Sequence, residues 1–333
     1  MNVLRRSLMA AGLAAGLLTS VVSFAAKPKE IVFGIISTEA SSIQKKMFDP
    51  LLADMEKAIG TPVKGFYASD YAGVIEAMRF NKVQVAWYGN KAAMQAVDRS
   101  SGEIFVQTVA LDGSMGYYSL LITHKDLPYK NMQDVLKDSK NIRFGNGDPN
   151  STSGFLVPAY YVFALNNVDP KQSFKVVTTA SHENNALAVA NKQVDVATFN
   201  TESWTRLQQN KPDAHANLRE IWRSPLIPGD PLVYRQDLDA DTKKKIKSFF
   251  MTYGQASGAE GDRQREILKP HEWKGFVDSS NDQLIPIRQL ELFKDKRKIE
   301  NDTKLSASDK TKQLADIEKK LAALDARAKA IKK

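Results

Sequence analysis

Three consecutive hydroxyl side chains, Ser151, Thr152 and Ser153, follow the stretch Gly145-Asn146-Gly147-Asp148-Pro149-Asn150 and precede an apolar, helix-like run over 155–165. Two glycines and Asp-Pro-Asn make a turn. The short run 141–144 before it reads as a strand. A helix start carries unpaired N–H groups and a partial positive charge. Hydroxyls at that place add donors aimed the same way, which suits a tetrahedral oxyanion such as phosphate or phosphonate. Plain helix capping by Ser and Thr accounts for the same residues, and the stretch alone does not decide between the two.

Other polar and aromatic candidates fall near the ends of predicted strands. They are Tyr71 in Asp70-Tyr71-Ala72-Gly73, Tyr117 after Gly113-Ser114-Met115-Gly116, His182 after the strand ending at Thr178, Glu202 beside Thr201, and Asp230 in Pro228-Gly229-Asp230-Pro231. Each has an ordinary reading. Tyr packs as an amphipathic residue, a lone His serves as a loop donor, Glu202 suits a first helical turn, and Asp230 suits a turn. Their shared placement points to one site, because ligands of α/β folds bind at the carboxyl ends of strands.

Enzyme chemistry finds little footing. There is no Cys, so disulfides, thiol catalysis and thiolate metal sites are excluded. His124, His182, His215 and His271 are scattered without metal-ligand spacing. No nucleophile elbow, Walker A loop or His-Glu-x-x-His motif is present. Ser151 has no base arranged beside it in the sequence. Neither a cofactor nor a metal is implied, and a binding protein is favoured over a phosphatase or phosphonatase.

The elements that must position these residues follow an α/β rhythm. Residues 30–36 form a nearly continuous apolar run, as in a strand buried on both faces. Ser37-Thr38 opens a helix pattern closed by Gly60, residues 62–67 form a second strand, and Asp70 caps the next helix. Strand 83–88 leads to a helix start at Gly89-Asn90, and strands 104–110 and 117–123 follow. That order predicts a lobe with a parallel sheet. The rhythm then repeats through strands 142–144, 174–178, 194–198 and 218–222, and residues 232–234 return to the first sheet. The expected fold is a two-lobed α/β clamshell with the ligand between the lobes. Lobe 1 takes residues 27–119 and 228–282, lobe 2 takes 120–227, and 283–333 form a helical extension.

Residues 1–26 read as a secretory signal: Arg5 and Arg6, an apolar run over 8–22, and small residues near Ala25-Ala26. The run is too short and too rich in Ala and Gly for a good membrane span. A twin-arginine route fits the flanks poorly, so the general secretory route is preferred. Without a Cys at the cut, no lipid anchor is expected there. The formal charge is +9, from 47 basic and 38 acidic residues. The basic residues are interspersed with acidic ones, which fits the drawing of anions toward a cleft better than nucleic-acid binding.

The last stretch spaces Leu314, Ile317, Leu321, Leu324, Ala328 and Ile331 in alternating steps of three and four, the seam of a coiled coil. Ser306 with Asp309 forms a capping-box pattern before it. The seam is either packed on its own lobe or a homodimerisation arm.

Several blocks together resemble a known family. They are Asp70-Tyr71-Ala72-Gly73, Met78-Arg79-Phe80-Asn81-Lys82-Val83, Ala86-Trp87-Tyr88-Gly89-Asn90, the stretch 144–158 and Ser224-Pro225-Leu226-Ile227-Pro228-Gly229-Asp230-Pro231. They resemble the PhnD-type phosphonate-binding proteins of bacterial phosphonate ABC transporters. The resemblance covers nearly all of the chain after the signal and thins after about residue 302. It implies a periplasmic protein that closes on an alkylphosphonate, with 2-aminoethylphosphonate favoured, and delivers it to an inner-membrane permease. By that resemblance Ser151, Thr152, Ser153 and Tyr117 would hold the phosphonate oxygens. Tyr71 and His182 would complete the cleft, and Glu202 and Asp230 would take the ammonium group. The chemistry agrees: two acids in a closing cleft are costly without a cation, and they separate an amine-bearing phosphonate from phosphate or phosphite.

Overall fold

The computed structural model describes residues 28–331, so the expected signal at 1–26 lies outside the described residues. Strand β1 (Ile31–Ile35) is buried along its length and leads through a loop to helix α1 (Ser41–Ile59). Ser37 and Thr38, expected to open that helix, lie in the loop, and Ala40 precedes the first turn. Gly60 ends α1 in the left-handed conformation, with its N–H on the Glu56 carbonyl. Strand β2 (Val63–Tyr67), helix α2 (Tyr71–Arg79), strand β3 (Val85–Trp87), helix α3 (Asn90–Arg99) and strand β4 (Gly102–Ala110) complete the first run. Asp70 caps α2 through the Gly73 N–H at 2.8 Å.

The chain then leaves the first lobe through β5 (Gly116–Tyr117) and enters the second as β6 (Ser119–His124). There follow α4 (Met132–Lys137), β7 (Arg143–Asn146), α5 (Pro170–Ser173), β8 (Val176–Thr179), α6 (His182–Ala190), β9 (Val196–Asn200), α7 (Thr201–Asn210), α8 (Pro212–His215) and β10 (Leu218–Arg223). It returns through β11 (Ile227–Pro228) into β12 (Pro231–Arg235). Helices α9 (Ala240–Thr252) and α10 (Ala259–Leu268) and strand β13 (Trp273–Asp278) close the first lobe.

The first sheet has the order β13-β4-β12-β3-β1-β2 and the second the order β10-β6-β9-β7-β8. Both are mixed rather than parallel. β12 runs antiparallel to β3 and β4, and β6 runs antiparallel to β9 and β10. The reason is the route: β6 and β12 arrive from the opposite lobe, not through a crossover helix that would force parallel entry. β5 and β11 pair with each other as a two-stranded ribbon between the sheets. Its closeness requires glycine at Gly116, where an added Cβ would stand 1.9 Å from the Ile227 carbonyl oxygen. One core fills the first lobe, built around Phe33, Phe48, Trp87, Phe250 and Trp273. Two smaller clusters lie in the second lobe, around Phe199 and Leu120 and around Phe144, Phe163 and Phe174. The molecule is therefore a two-lobed α/β clamshell.

Helix α11 (Ile285–Asn301) lies across both lobes. Arg288 pairs with Asp98 of α3 at 2.5 Å, Phe293 meets Tyr160 of the second lobe, and Asn301 bonds Asn167 at 2.8 Å. Helix α12 (Ala307–Ile331) folds back antiparallel on α11, tied by Gln289 to Asp325 and Lys296 to Glu318. Ser306 accepts the Asp309 N–H and donates to its carboxylate, closing the expected cap. Ile317 is buried, Leu314, Leu321 and Leu324 are half-buried, and Ile331 is exposed. The heptad seam thus rests on α11 of its own chain.

Candidate functional site

The turn before Ser151 is built for close approach. Gly147 donates its N–H to the Gly154 carbonyl at 3.0 Å, and a Cβ on Gly147 would meet that backbone at 2.6 Å. Asp148 accepts the Asn150 N–H at 2.7 Å in an Asx turn. Ser151 then caps the next helix by accepting the Gly154 N–H at 2.9 Å. That helix is not α. It runs as a π-turn at Thr152–Leu156, a second π-turn at Ala159–Phe163 and a 3-10 turn at Ala164–Asn166. Pro158 between the π-turns lacks the N–H that a regular ladder needs, and π-turns recur at functional sites. Capping and presentation of hydroxyls therefore coexist.

Each hydroxyl of the trio already accepts a bond, which leaves its own proton to donate. Thr152 Oγ1 accepts the Lys91 N–H from the other lobe at 2.8 Å. Ser153 Oγ accepts the Asn200 amide at 3.3 Å. His182 Nε2 lies 3.4 Å from both Ser151 Oγ and Ser153 Oγ. Burial pushes the His182 pKa down to about 4, so the imidazole is neutral near neutrality. Its Nδ1 is buried with no protein hydrogen-bond partner among the described residues.

All eight residues singled out from the sequence line one small cavity between the lobes. Every one of them is buried. Tyr71 begins α2 and donates its backbone N–H to Asp148 of the second lobe at 3.2 Å. Its hydroxyl neighbours Ser151, whereas the Tyr117 hydroxyl neighbours Asp230. Burial first, and the nearby carboxylates second, push both phenols well above their ordinary pKa. Glu202 sits in the first turn of α7, and Asp230 stands between β11 and β12. Asp230 Oδ2 accepts the Trp87 indole N–H at 3.1 Å, while Oδ1 is buried without a hydrogen bond among the described residues and the Tyr117 hydroxyl stands beside the carboxylate. Burial raises the pKa of both acids, and the Asp230 charge adds to the rise at Glu202.

The starts of α2, α3, α6, α7 and the π-turn all meet this cavity, through Tyr71, Gly89, His182, Asn200, Glu202 and Ser151. The cavity thus combines hydroxyls and helix N-termini, which suit an oxyanion, with two acids, which suit a cation. Sequence reasoning missed Thr38, Trp87, Asn200 and Arg206 on the cavity wall. Trp87 and Asn200 end strands, and that signal was available. Arg206 reads in sequence as an ordinary helical partner four residues from Glu202.

No group of three or more His, Cys, Asp or Glu residues with metal-binding geometry occurs among the described residues. No helix among them is long and apolar enough to cross a membrane.

Comparison with known proteins agrees with this architecture. The family described as the phosphonate ABC transporter periplasmic substrate-binding protein matches residues 33–284. The chain is 52% identical over 297 residues to the phosphonates-binding periplasmic protein of Escherichia coli K12, covering 89% of this chain and 86% of that one. The solved binding component of an ABC phosphonate transporter from Pseudomonas aeruginosa is 53% identical, with a TM-score of 0.88 over 91% of this chain and 99% of that one. A Prochlorococcus marinus PhnD1 structure in complex with methylphosphonate shares the fold at 23% identity and a TM-score of 0.70, over 79% and 97% of the two chains. These relatives are transport proteins, not enzymes. The chain belongs to the periplasmic substrate-binding proteins of phosphonate ABC transporters.

Proposed function

We propose that this protein captures amine-bearing alkylphosphonates, 2-aminoethylphosphonate above others, and delivers them to the membrane permease of its transporter. Ser151, Thr152 and Ser153 hold the phosphonate oxygens, with Tyr71, Tyr117 and His182 closing around the ligand. Glu202 and Asp230 take the ammonium group. Residues 1–26 direct export, residues 27–119 with 228–282 and residues 120–227 form the lobes, and the extension 283–333 carries a homodimer contact.

The observation that carries the ligand assignment is the acid pair. Two carboxyls from opposite lobes face one cavity, and Asp230 Oδ1 makes no hydrogen bond among the described residues. Burying such charges unpaired is costly, whereas an ammonium would satisfy both in charge-assisted bonds. Plain phosphate or phosphite would bring them no cation beyond the Arg206 guanidinium on the same wall.

A calorimetric panel of 2-aminoethylphosphonate, methylphosphonate, phosphate and phosphite tests this. Wild type is expected to bind the amine ligand tightest. The double variant Glu202→Gln, Asp230→Asn should lose about 2–5 kcal/mol of binding to the amine ligand and much less to methylphosphonate. Equal losses for both would refute the ammonium assignment, and tightest binding of phosphate would favour an inorganic oxyanion.

A further inference from the structure

Resting on the reading of this cleft as a phosphonate site, we propose that Glu39 and Arg206 form a latch across the cleft that sets affinity for every ligand by holding the lobes together. Glu39 belongs to the loop between β1 and α1 in the first lobe, and Arg206 to α7 in the second. Their side chains meet at 2.7 Å, Arg206 Nε to Glu39 Oε1, and both are nearly sealed from solvent.

Three of the five guanidinium N–H donors are engaged. Nε donates to Glu39, Nη2 to Ser203 Oγ at 3.0 Å, and Nη1 to the His271 carbonyl of the first lobe at 3.4 Å. Glu39 accepts in turn from Ser203 Oγ at 3.0 Å and from the Thr38 hydroxyl. Arg206 also lines the cavity, with one further N–H on each Nη beyond these three bonds. Burial pushes the Glu39 carboxyl up, but the neighbouring guanidinium outweighs this and holds it below its ordinary value. The pair is therefore charged.

Other bonds cross beside it. Ala40 donates its N–H to Glu183 at 2.7 Å, and Glu183 donates its own to the Thr38 carbonyl at 3.2 Å. The loop 38–40 thus docks on the first turns of α6 and on α7 only when the lobes close. Opening must pull Glu39 and His271 away from Arg206 together. A ligand that binds the closed form gains whatever free energy stabilises that form. A bond made only on closure therefore adds equally to the affinity of all ligands.

The test compares wild type with Glu39→Gln, Arg206→Met and the double variant Glu39→Leu, Arg206→Met, using calorimetry with 2-aminoethylphosphonate and methylphosphonate and thermal melting with and without ligand. Each single variant is expected to weaken both ligands by the same factor, roughly 10- to 1,000-fold. The ligand-free melting temperature should stay near wild type while the ligand-induced rise shrinks. The double variant should recover much of the loss, because no lone charge is then buried. Unchanged affinities would overturn the latch. So would a loss confined to the amine ligand, which would make the pair part of the ammonium site. A ligand-free melting temperature lowered as much as the liganded one would mark a purely structural pair. Failure of wild type to bind phosphonates would instead overturn the underlying reading.

Discussion

At the scale of single residues, the acid pair governs how the site responds to pH. In the closed cavity, burial lifts Glu202 from an ordinary 4.5 to about 8 and Asp230 from 3.8 to about 7. An acid whose pKa is raised on closure takes up protons, so closure is favoured at low pH and disfavoured as pH climbs through the raised value. An ammonium group removes that penalty by keeping both acids ionised. Closing on methylphosphonate should therefore consume protons between about pH 5 and pH 8, and closing on 2-aminoethylphosphonate should consume fewer. Calorimetry in buffers of different ionisation enthalpy counts those protons. The affinity ratio of amine to methyl ligand should rise with pH across this window and flatten in the Glu202→Gln, Asp230→Asn variant. A ratio independent of pH would refute the argument. His182 does not enter this window, since its pKa lies near 4. That the eight residues gather in one cavity was legible from their polar or aromatic types and their places at strand and helix ends. Glu39 and Arg206 were not, because a partner 167 positions away leaves no periodic trace.

Among the elements, the irregular helix after β7 presents the three hydroxyls to the cavity. Its start is pinned by Gly147 against Gly154, where no side chain fits. Gly147→Ala should push the Ser151 cap outward and cost about 1–3 kcal/mol, as overpacking does. On the proposed assignment, in which the hydroxyls hold the headgroup and not the tail, the loss should be similar for 2-aminoethylphosphonate and methylphosphonate in titration calorimetry. A selective loss of one ligand would show that this turn shapes the tail pocket instead. The turn itself was readable from Gly, Asp-Pro and Asn, but the π-turns were not, since an apolar run with one Pro reads as a single α-helix. β13 and α10 also went unseen. β13 is an edge strand with Gly275 inside it and an early register shift against β4, so its alternation is broken. The parallel sheets were misjudged for another reason: alternation of strands and helices says nothing of strands that arrive from the neighbouring lobe.

For the molecule as a whole, the open question is what the C-terminal hairpin does. The heptad pattern gave helix and seam correctly, but not the partner: α12 rests on α11 of the same chain. A homodimer built on that seam must then exchange α12 between copies, each packing on the other's α11. The short link 302–306 makes such an exchange geometrically simple, and swapped elements are a low-cost route to dimers. α11 itself spans both lobes through Asp98 and Asn167, so it is part of the fold and not of the arm. No residue of α12 borders the ligand cavity. Truncation after Asp302 should therefore leave phosphonate affinity within about twofold, a change of roughly 0.4 kcal/mol. It should also convert the dimer into a monomer by light scattering. Removing α12 uncovers the α11 face beneath it, so the melting temperature should fall modestly while ligand still raises it. A truncated chain that still scatters as a dimer would reject the exchange, and a full-length chain that scatters as a monomer would reject the dimer itself.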